Sequence, residues 1–169
     1  RHPETVKEHL HCTNKPLVLL TVGGGDDGYP IARAYLDMVR QYKNQIQFFT
    51  YLVTGPLMNS NLRNELQQLR ISNLVYTAEF ERDMIGTMLA AELVISMGGY
   101  NSICEILQFA QRAVIIPRIY PRREQYLRAQ ILHDQNLLSL VLPTDLTPVK
   151  LFELINSGLN FGTQTQIRK

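Results

Sequence analysis

The sequence predicts an α/β fold, a Rossmann-like parallel sheet of about six strands with helices on both faces. Short apolar runs alternate with longer helical patterns along the chain. The helical segments are long enough to connect parallel strands and cover the sheet. Two of the apolar runs end in glycine clusters that are followed by a helix start. These three observations define the fold class.

The first half of the chain supplies three predicted strands. An apolar run predicts a strand over 17–22, followed by a glycine loop and a helix over 31–42. Residues 46–53 predict a second strand because the apolar run stops at the turn-forming sequence Thr54-Gly55-Pro56. A helix over 59–69, a short strand over 73–77 and a short helix over 83–91 follow.

The second half repeats the alternation. A strand over 93–96 leads through paired glycines into a helix over 102–110, and a strand over 113–116 is closed by Pro117. A long helix over 122–134, a strand over 138–142 and a helix over 148–156 complete the pattern. Because crossovers between parallel strands are right-handed, all strand-to-helix loops should lie along one edge of the sheet, where ligands of such folds bind.

The two ends of the chain are polar and lack clear periodicity. We interpret residues 1–15 as a linker from a preceding N-terminal domain, residues 16–156 as the folded domain and residues 157–169 as a C-terminal tail. The polar start, Arg1-His2-Pro3-Glu4, shows no signal peptide and suggests a cut inside a longer protein.

Composition excludes several function classes. The 169 residues carry a net charge of +2 and are 45% hydrophobic, as in one ordinary soluble domain. This charge does not predict a nucleic-acid partner. No run reaches the roughly 18 apolar residues of a membrane span. Cys12 and Cys104 lack metal-ligand spacing, so we expect free thiols in a reducing compartment, the cytoplasm.

The most informative motif lies at residues 93–105. An apolar strand ends in Gly98-Gly99, and a helix then begins near Asn101 and Ser102. A glycine turn before a helix presents free amides and the positive end of a helix dipole, which together favour an anion such as phosphate. Glu105 has two interpretations of equal weight, a capping box with Ser102 or a contact with the hydroxyls of a ribose.

A second glycine cluster, Gly23-Gly24-Gly25, follows the first strand and is continued by Asp26-Asp27-Gly28. Its glycines would allow a close approach to an oxyanion, but the loop matches neither the dinucleotide fingerprint nor the P-loop. A tight turn with Asp27 capping the next helix explains it equally well. Adjacent acids at a helix start are more often caps than metal ligands, so no metal site is predicted. Two such loops in one sheet suggest a nucleoside diphosphate.

The third candidate is the loop and helix start over 117–125. Glu124 and Gln125 could bridge sugar hydroxyls, and arginines such as Arg123 could offset diphosphate charge. The alternative, favoured when this segment is taken alone, is a solvated helix start in which Glu124 pairs with Arg128.

Taken in order, these segments resemble a known family. They comprise the glycine loop, Phe80-Glu81-Arg82-Asp83-Met84, Met-Gly-Gly-Tyr-Asn-Ser-x-x-Glu and Pro-x(6)-Glu-Gln. The pattern, over about residues 16–143, resembles the C-terminal donor-binding domain of GT-B glycosyltransferases, most of all family 28. That family includes the lipid II-forming N-acetylglucosaminyltransferase. The 99–105 stretch also parallels the signature of plant UDP-glycosyltransferases.

The resemblance implies a nucleotide-sugar donor, with uridine diphosphate (UDP) as the expected nucleotide. A base other than uracil stays open, because recognition would run through backbone. Backbone near Phe80 would recognise the base beside Met84, Glu105 would hold the ribose, and Glu124 and Gln125 the sugar. The residues implied to bind the donor are Gly23, Gly24, Gly25, Phe80, Met84, Gly98, Gly99, Tyr100, Asn101, Ser102, Glu105, Arg123, Glu124 and Gln125. Met97 replaces a histidine of the plant signature, and the Glu-Gln pair differs from the usual Asp-Gln or Gln-Gln. The pair therefore does not identify the sugar.

The resemblance also implies one half of a two-domain enzyme. The general base and most of the acceptor site would lie in an N-terminal domain absent from this chain, which should bind donor with little or no turnover. No cofactor or essential metal is expected, because loop amides and a helix N-terminus stabilise the leaving group. The acceptor is not specified, and peripheral membrane association of the parent protein is left open. The alternatives are a nucleotide-sugar 2-epimerase or hydrolase and a noncatalytic nucleotide-binding or partner-binding module.

Overall fold

The computed structural model describes residues 2–109 and 111–160, and these form the predicted α/β architecture. Six strands within these ranges form one parallel sheet in the order β3-β2-β1-β4-β5-β6. Their bounds are β1 Leu17–Thr21, β2 Phe49–Val53, β3 Val75–Ala78, β4 Leu93–Ser96, β5 Ala113–Ile115 and β6 Ser139–Leu140. The predicted fold class is confirmed.

Seven α-helices lie in the described part of the chain and cover both faces of the sheet. Their bounds are α1 Pro3–His9, α2 Tyr29–Gln41, α3 Ser60–Leu69, α4 Met84–Ala90, α5 Tyr100–Gln108, α6 Glu124–Asp134 and α7 Pro148–Asn160, with a 3₁₀ turn at Pro143–Asp145. Helices α2, α3 and α7 pack on one face, and α1, α4, α5 and α6 on the other.

The central strand β1 shows why the sequence adopts this layered arrangement. Leu17 and Leu19 face one core cluster, Val18 and Leu20 face the other, and all four are fully buried. Alternate side chains of a strand point to opposite faces, so an unbroken apolar run is suited to a strand covered on both sides.

Helix α1 corrects the interpretation of residues 1–15 as a linker outside the folded domain. Val6, Leu10 and Cys12 are buried and belong to the core cluster on the α4 side of the sheet. Burial raises the pKa of the Cys12 thiol, and both Cys12 and Cys104 are free as predicted. A seven-residue helix carries too few apolar positions for its period to be recognised in the sequence. The folded unit therefore begins before residue 16.

Glu92, between α4 and β4, fastens this helix to the sheet. Its carboxylate accepts a hydrogen bond from the Leu17 backbone N–H at 2.6 Å and pairs with Lys7 of α1. One side chain thus joins the start of β1 to the N-terminal helix.

The predicted C-terminal tail is also partly wrong. Helix α7 continues to Asn160, four residues beyond its predicted end at residue 156. The Gly158 carbonyl accepts a hydrogen bond at 2.8 Å from Arg112, just before β5. The remaining predicted tail, residues 161–169, lies outside the described residues. Among the helices described, none is both long and apolar enough to span a bilayer.

The strand order reverses between β1 and β4, and this reversal positions the two glycine clusters. The chain proceeds outward from β1 through β2 to β3, then returns to place β4 on the other side of β1. In open α/β sheets, the carboxyl edge at such a reversal contains the ligand crevice. Thr21 and Ser96 are register partners at the ends of these two strands, so both glycine turns start from the same level of the sheet.

We expect Leu10→Ala to lower the free energy of unfolding by about 2–5 kcal/mol, because it removes a buried side chain that joins α1 to the core. Urea denaturation of the 169-residue chain measures this change. Glu8→Ala, on the exposed side of α1, is the matched control and should stay within about 0.5 kcal/mol. Equal stability of the two variants would show that α1 is not part of the cooperative unit.

Candidate functional site

Two glycine turns of the same construction stand side by side at the carboxyl edge. The Gly23 N–H donates to Thr21 Oγ1 at 3.5 Å, and the Gly98 N–H donates to Ser96 Oγ at 3.2 Å. Gly23 and Gly98 have φ of 63° and 72°, the left-handed conformation that glycine adopts most readily. In each turn, a hydroxyl side chain two residues before the glycine accepts from its N–H, more closely at Gly98 than at Gly23.

The first turn rests against the loop that follows β2. Gly25 has φ of 94°, and a Cβ there would lie 2.2 Å from the Thr54 carbonyl oxygen. The Leu57 N–H donates to the Gly24 carbonyl at 2.8 Å. Glycine at position 25 thus permits a backbone contact that any side chain would prevent.

Arg63 of α3 holds that supporting loop in place. Its guanidinium donates to the Met58 carbonyl at 2.9 Å and the Gly55 carbonyl at 3.3 Å, and it pairs with Glu79 at 2.7 Å. The loop after β2, and through it the first glycine turn, is therefore fixed by a charged side chain from a neighbouring helix.

Arg128 of α6 fixes the second turn. Its Nη1 donates to the Gly98 carbonyl at 3.2 Å, and its guanidinium lies 5.5 Å from the centre of the Tyr100 ring. In a trans peptide, the carbonyl and the following N–H point in opposite directions, so the Gly99 N–H is directed away from Arg128.

Helix α5 opens directly onto this turn. Gly99 is its N-cap, and within the described residues no side chain caps the helix. The amides of Gly99 and Ser102 likewise donate to no protein acceptor in the described ranges. These free amides carry the positive end of the α5 dipole, so an anion at the glycine turn would be stabilised.

Two capping interpretations made from the sequence are wrong. Helix α5 begins at Tyr100, so Asn101 and Ser102 lie inside its first turn and Ser102 does not form a capping box with Glu105. Gly28, not Asp27, precedes α2, and a Cβ at Gly28 would lie 2.4 Å from the Val22 side chain. The Asp27 carboxylate instead pairs with Arg118 at 3.0 Å.

A cavity of about 250 Å³ lies between the turns. The loop after β1, the loop and helix start after β4, and the segment after β5 all contribute to its walls. Its lining residues are Val22, Gly23, Gly24, Gly25, Asp26, Asp27, Ser96, Met97, Gly99, Ser102, Arg118 and Gln125. Six of the predicted donor-binding residues are therefore brought together: Gly23, Gly24, Gly25, Gly99, Ser102 and Gln125.

The other predicted residues do not line this cavity. They are Phe80, Met84, Gly98, Tyr100, Asn101, Glu105, Arg123 and Glu124. Gly98 belongs to the second turn but is buried, whereas Phe80 is 64% exposed in the segment after β3. Glu124 is exposed at the start of α6, and its predicted partner Arg128 instead contacts the glycine turn.

Sequence reasoning did not identify the supporting residues. Thr21 and Ser96 carried a usable signal, a hydroxyl two residues before a glycine at a strand end. Arg118, by contrast, belongs to the 117–125 segment whose arginines were predicted to offset diphosphate charge, and it lines the cavity. Arg63 and Arg128 gave no local signal, because their carbonyl partners lie on other elements.

The cavity is acidic as well as glycine-rich, with Asp26 and Asp27 in its wall. Across residues 2–109 and 111–160, no three or more His, Cys, Asp or Glu side chains gather as metal ligands would. The expectation that no metal is essential stays a prediction.

Comparison with known proteins shows which family this sequence matches. Residues 18–169 match the sequence profile of the glycosyltransferase family 28 C-terminal domain. One relative is a UDP-N-acetylglucosamine–N-acetylmuramyl-(pentapeptide) pyrophosphoryl-undecaprenol N-acetylglucosamine transferase from Haemophilus influenzae strain PittEE. It is 29% identical over 154 residues, which are 90% of this chain and 41% of the relative. The chain thus spans about two fifths of that relative's length.

Solved structures share the fold. MurG from Acinetobacter baumannii superposes with a TM-score of 0.71 at 21% identity, covering 87% of this chain and 44% of that one. The glycosyltransferase VinC, solved in complex with DTDP, superposes with a TM-score of 0.66 at 15% identity, covering 88% of this chain and 34% of VinC. At these identities, the superpositions establish the architecture of the domain.

Adjacent glycines offer a paired test of the second turn. An alanine at position 98 would have to adopt positive φ, and its Cβ would lie 2.7 Å from Ile115 Cγ2. A Cβ at position 99 would meet nothing within 4 Å in the described structure. We expect Gly98→Ala to cost about 2 kcal/mol or more in unfolding free energy, and Gly99→Ala less than about 1 kcal/mol. Urea denaturation measures both. A stable Gly98→Ala protein would contradict the left-handed turn.

Proposed function

This chain belongs to the glycosyltransferase family 28 C-terminal domain family, and on that premise we propose that its cavity binds a nucleotide-sugar donor through the diphosphate. The observation that carries the proposal is the pair of glycine turns, aligned by the register of Thr21 with Ser96 and opening into one cavity. Phosphate oxygens would accept from the amides of Gly24, Gly99 and Ser102.

The caps of the helices support this assignment. Helices α3 and α4 carry side-chain caps from Asn59 and Asp83. Within the described chain, α1, α2, α5 and α6 have no side-chain cap, and the last three of these follow the loops that line the cavity. An anion placed between these three helix starts would interact favourably with the positive ends of their dipoles.

The nucleotide we propose is UDP, which is part of the name of the Haemophilus relative. Phe80 and Met84 follow β3 at the same carboxyl edge and are suited to the base. Glu105, in the second turn of α5, would accept from the ribose hydroxyls. Glu124 and Gln125 open α6 and would contact the transferred sugar.

We propose that the full protein transfers this sugar to an acceptor hydroxyl. The bond between the anomeric carbon and the diphosphate oxygen breaks, the acceptor oxygen bonds to that carbon, and a general base takes the acceptor proton. Amides aimed at the leaving diphosphate stabilise its growing charge by about 3 kcal/mol for each well-placed donor, without a metal. Because the chain spans two fifths of the relative's length, we place the base and acceptor site outside it.

The acceptor in the relative's name is a lipid-linked pyrophosphate. An acceptor of this class would bring the parent protein to a membrane surface as a peripheral protein. Without the general base and the acceptor site, the 169-residue chain by itself would bind donor and transfer no sugar.

We expect UDP to bind the isolated chain and raise its melting temperature by about 5–10 °C at one hundred times the Kd, the shift for about 2.7 kcal/mol of linkage. Uridine, which lacks the diphosphate, should give almost no shift at the same concentration. Thermal denaturation with each ligand measures the difference.

Gly99→Val tests the position of the diphosphate. Its side chain would project into the open space at the second turn, and Gly99 has φ −56° and ψ 155°, which valine tolerates. We expect the unliganded melting temperature to stay near that of the native chain and UDP affinity to fall at least about tenfold. Ser157→Ala, exposed on α7, is the control. Unchanged UDP binding by Gly99→Val would place the ligand elsewhere.

A further inference from the structure

The charge of the cavity wall conflicts with an anionic ligand. The charged side chains that line it, among the residues described, are Asp26, Asp27 and Arg118, a formal balance of −1. Carboxylates beside a diphosphate repel it unless a cation or a proton intervenes. The behaviour of Arg118 therefore decides whether the side-chain charges help or hinder binding.

Arg118 is engaged by Asp27 across the cavity. The Arg118 Nη1 to Asp27 Oδ2 distance is 3.0 Å, and the pair links the loop after β1 to the segment after β5. The two side chains are 36% and 39% exposed. An ion pair with this much solvent access contributes about 1 kcal/mol or less, so exchanging its carboxylate for another anion costs little.

The backbone of Arg118 is fixed while part of its guanidinium has no acceptor. Its N–H donates to Gln125 Oε1 at 3.0 Å, which holds the residue against the start of α6. Its Nε is buried and, within the described residues, has no hydrogen-bond partner. A buried N–H without an acceptor costs free energy that an incoming phosphate oxygen would recover.

We propose that the Asp27 carboxylate takes the place of a ligand phosphate beside Arg118. Asp27 pairs with Arg118 when no ligand is bound, and Arg118 exchanges this carboxylate for the diphosphate on binding. This inference rests on the proposed function and adds a residue to it. Arg118 becomes the side-chain cation of a site otherwise built from main-chain amides. Asp27 becomes a competitor that sets the affinity.

The two neighbouring aspartates provide a matched test. Asp26→Asn and Asp27→Asn each remove one negative charge from the same wall, but Asp27→Asn alone releases Arg118 from a described partner. Isothermal titration with UDP should show Asp27→Asn binding about two- to fivefold more tightly than Asp26→Asn, the range of an exposed ion pair. Arg118→Gln should weaken binding at least about tenfold. In the Arg118→Gln background, the two asparagine variants should bind UDP equally.

The sign of the Asp27→Asn effect distinguishes exchange from a purely structural bridge. If the pair only holds the two loops together, Asp27→Asn weakens UDP binding as Arg118→Gln does, and the proposal is overturned. Equal affinity of the two asparagine variants in the presence of Arg118 overturns it as well. Melting temperatures without ligand, measured on every variant, identify any that fail to fold, and Arg118→Met, which also removes the cation, then replaces Arg118→Gln.

Titration with inorganic pyrophosphate separates this proposal from the assignment of the nucleotide. Tighter pyrophosphate binding by Asp27→Asn than by Asp26→Asn, together with no UDP binding, supports the exchange and contradicts the proposed function. Absence of binding by both probes contradicts both proposals.

Discussion

The parallel register between β1 and β4 is the constraint on which the site depends. It pairs Thr21 with Ser96 at the carboxyl edge, so two turns of the same design begin side by side. The register is itself set by the core, because alternate residues of β1 fill different clusters on the two faces. A slip by one residue would send each β1 side chain to the wrong face and separate the hydroxyls that shape the turns. The packing that stabilises the fold therefore also aligns the site.

Arginine side chains organise this edge without supplying most of its ligand-facing atoms. Arg128 donates to the Gly98 carbonyl, and Arg63 donates to carbonyls of the loop that supports Gly24 and Gly25. At Gly98, engaging the carbonyl fixes the peptide plane and leaves the Gly99 amide on the opposite side for a ligand. The geometry of the cavity thus depends on part-buried contacts behind its wall as much as on the residues that line it.

The sequence predicted the fold and the location of the site better than the details of the site. Apolar runs and glycine clusters located all six strands and both turns, because these signals are local. Helix α1 was missed because a seven-residue segment with few buried positions has no recognisable period. The caps were misassigned because Gly28 and Gly99, which lack capping side chains, precede α2 and α5. The Arg118–Asp27 pair joins residues 91 positions apart, and no local pattern encodes such a contact.

The central claim is that main-chain amides of the glycine turn bind the diphosphate. The most direct measurement is the ¹H–¹⁵N spectrum of the labelled chain during titration with UDP, pyrophosphate and uridine. The account predicts that the amide resonances of Gly99 and Ser102 move with UDP and with pyrophosphate and stay in place with uridine. Saturation by UDP that leaves both resonances unmoved while others shift would contradict it.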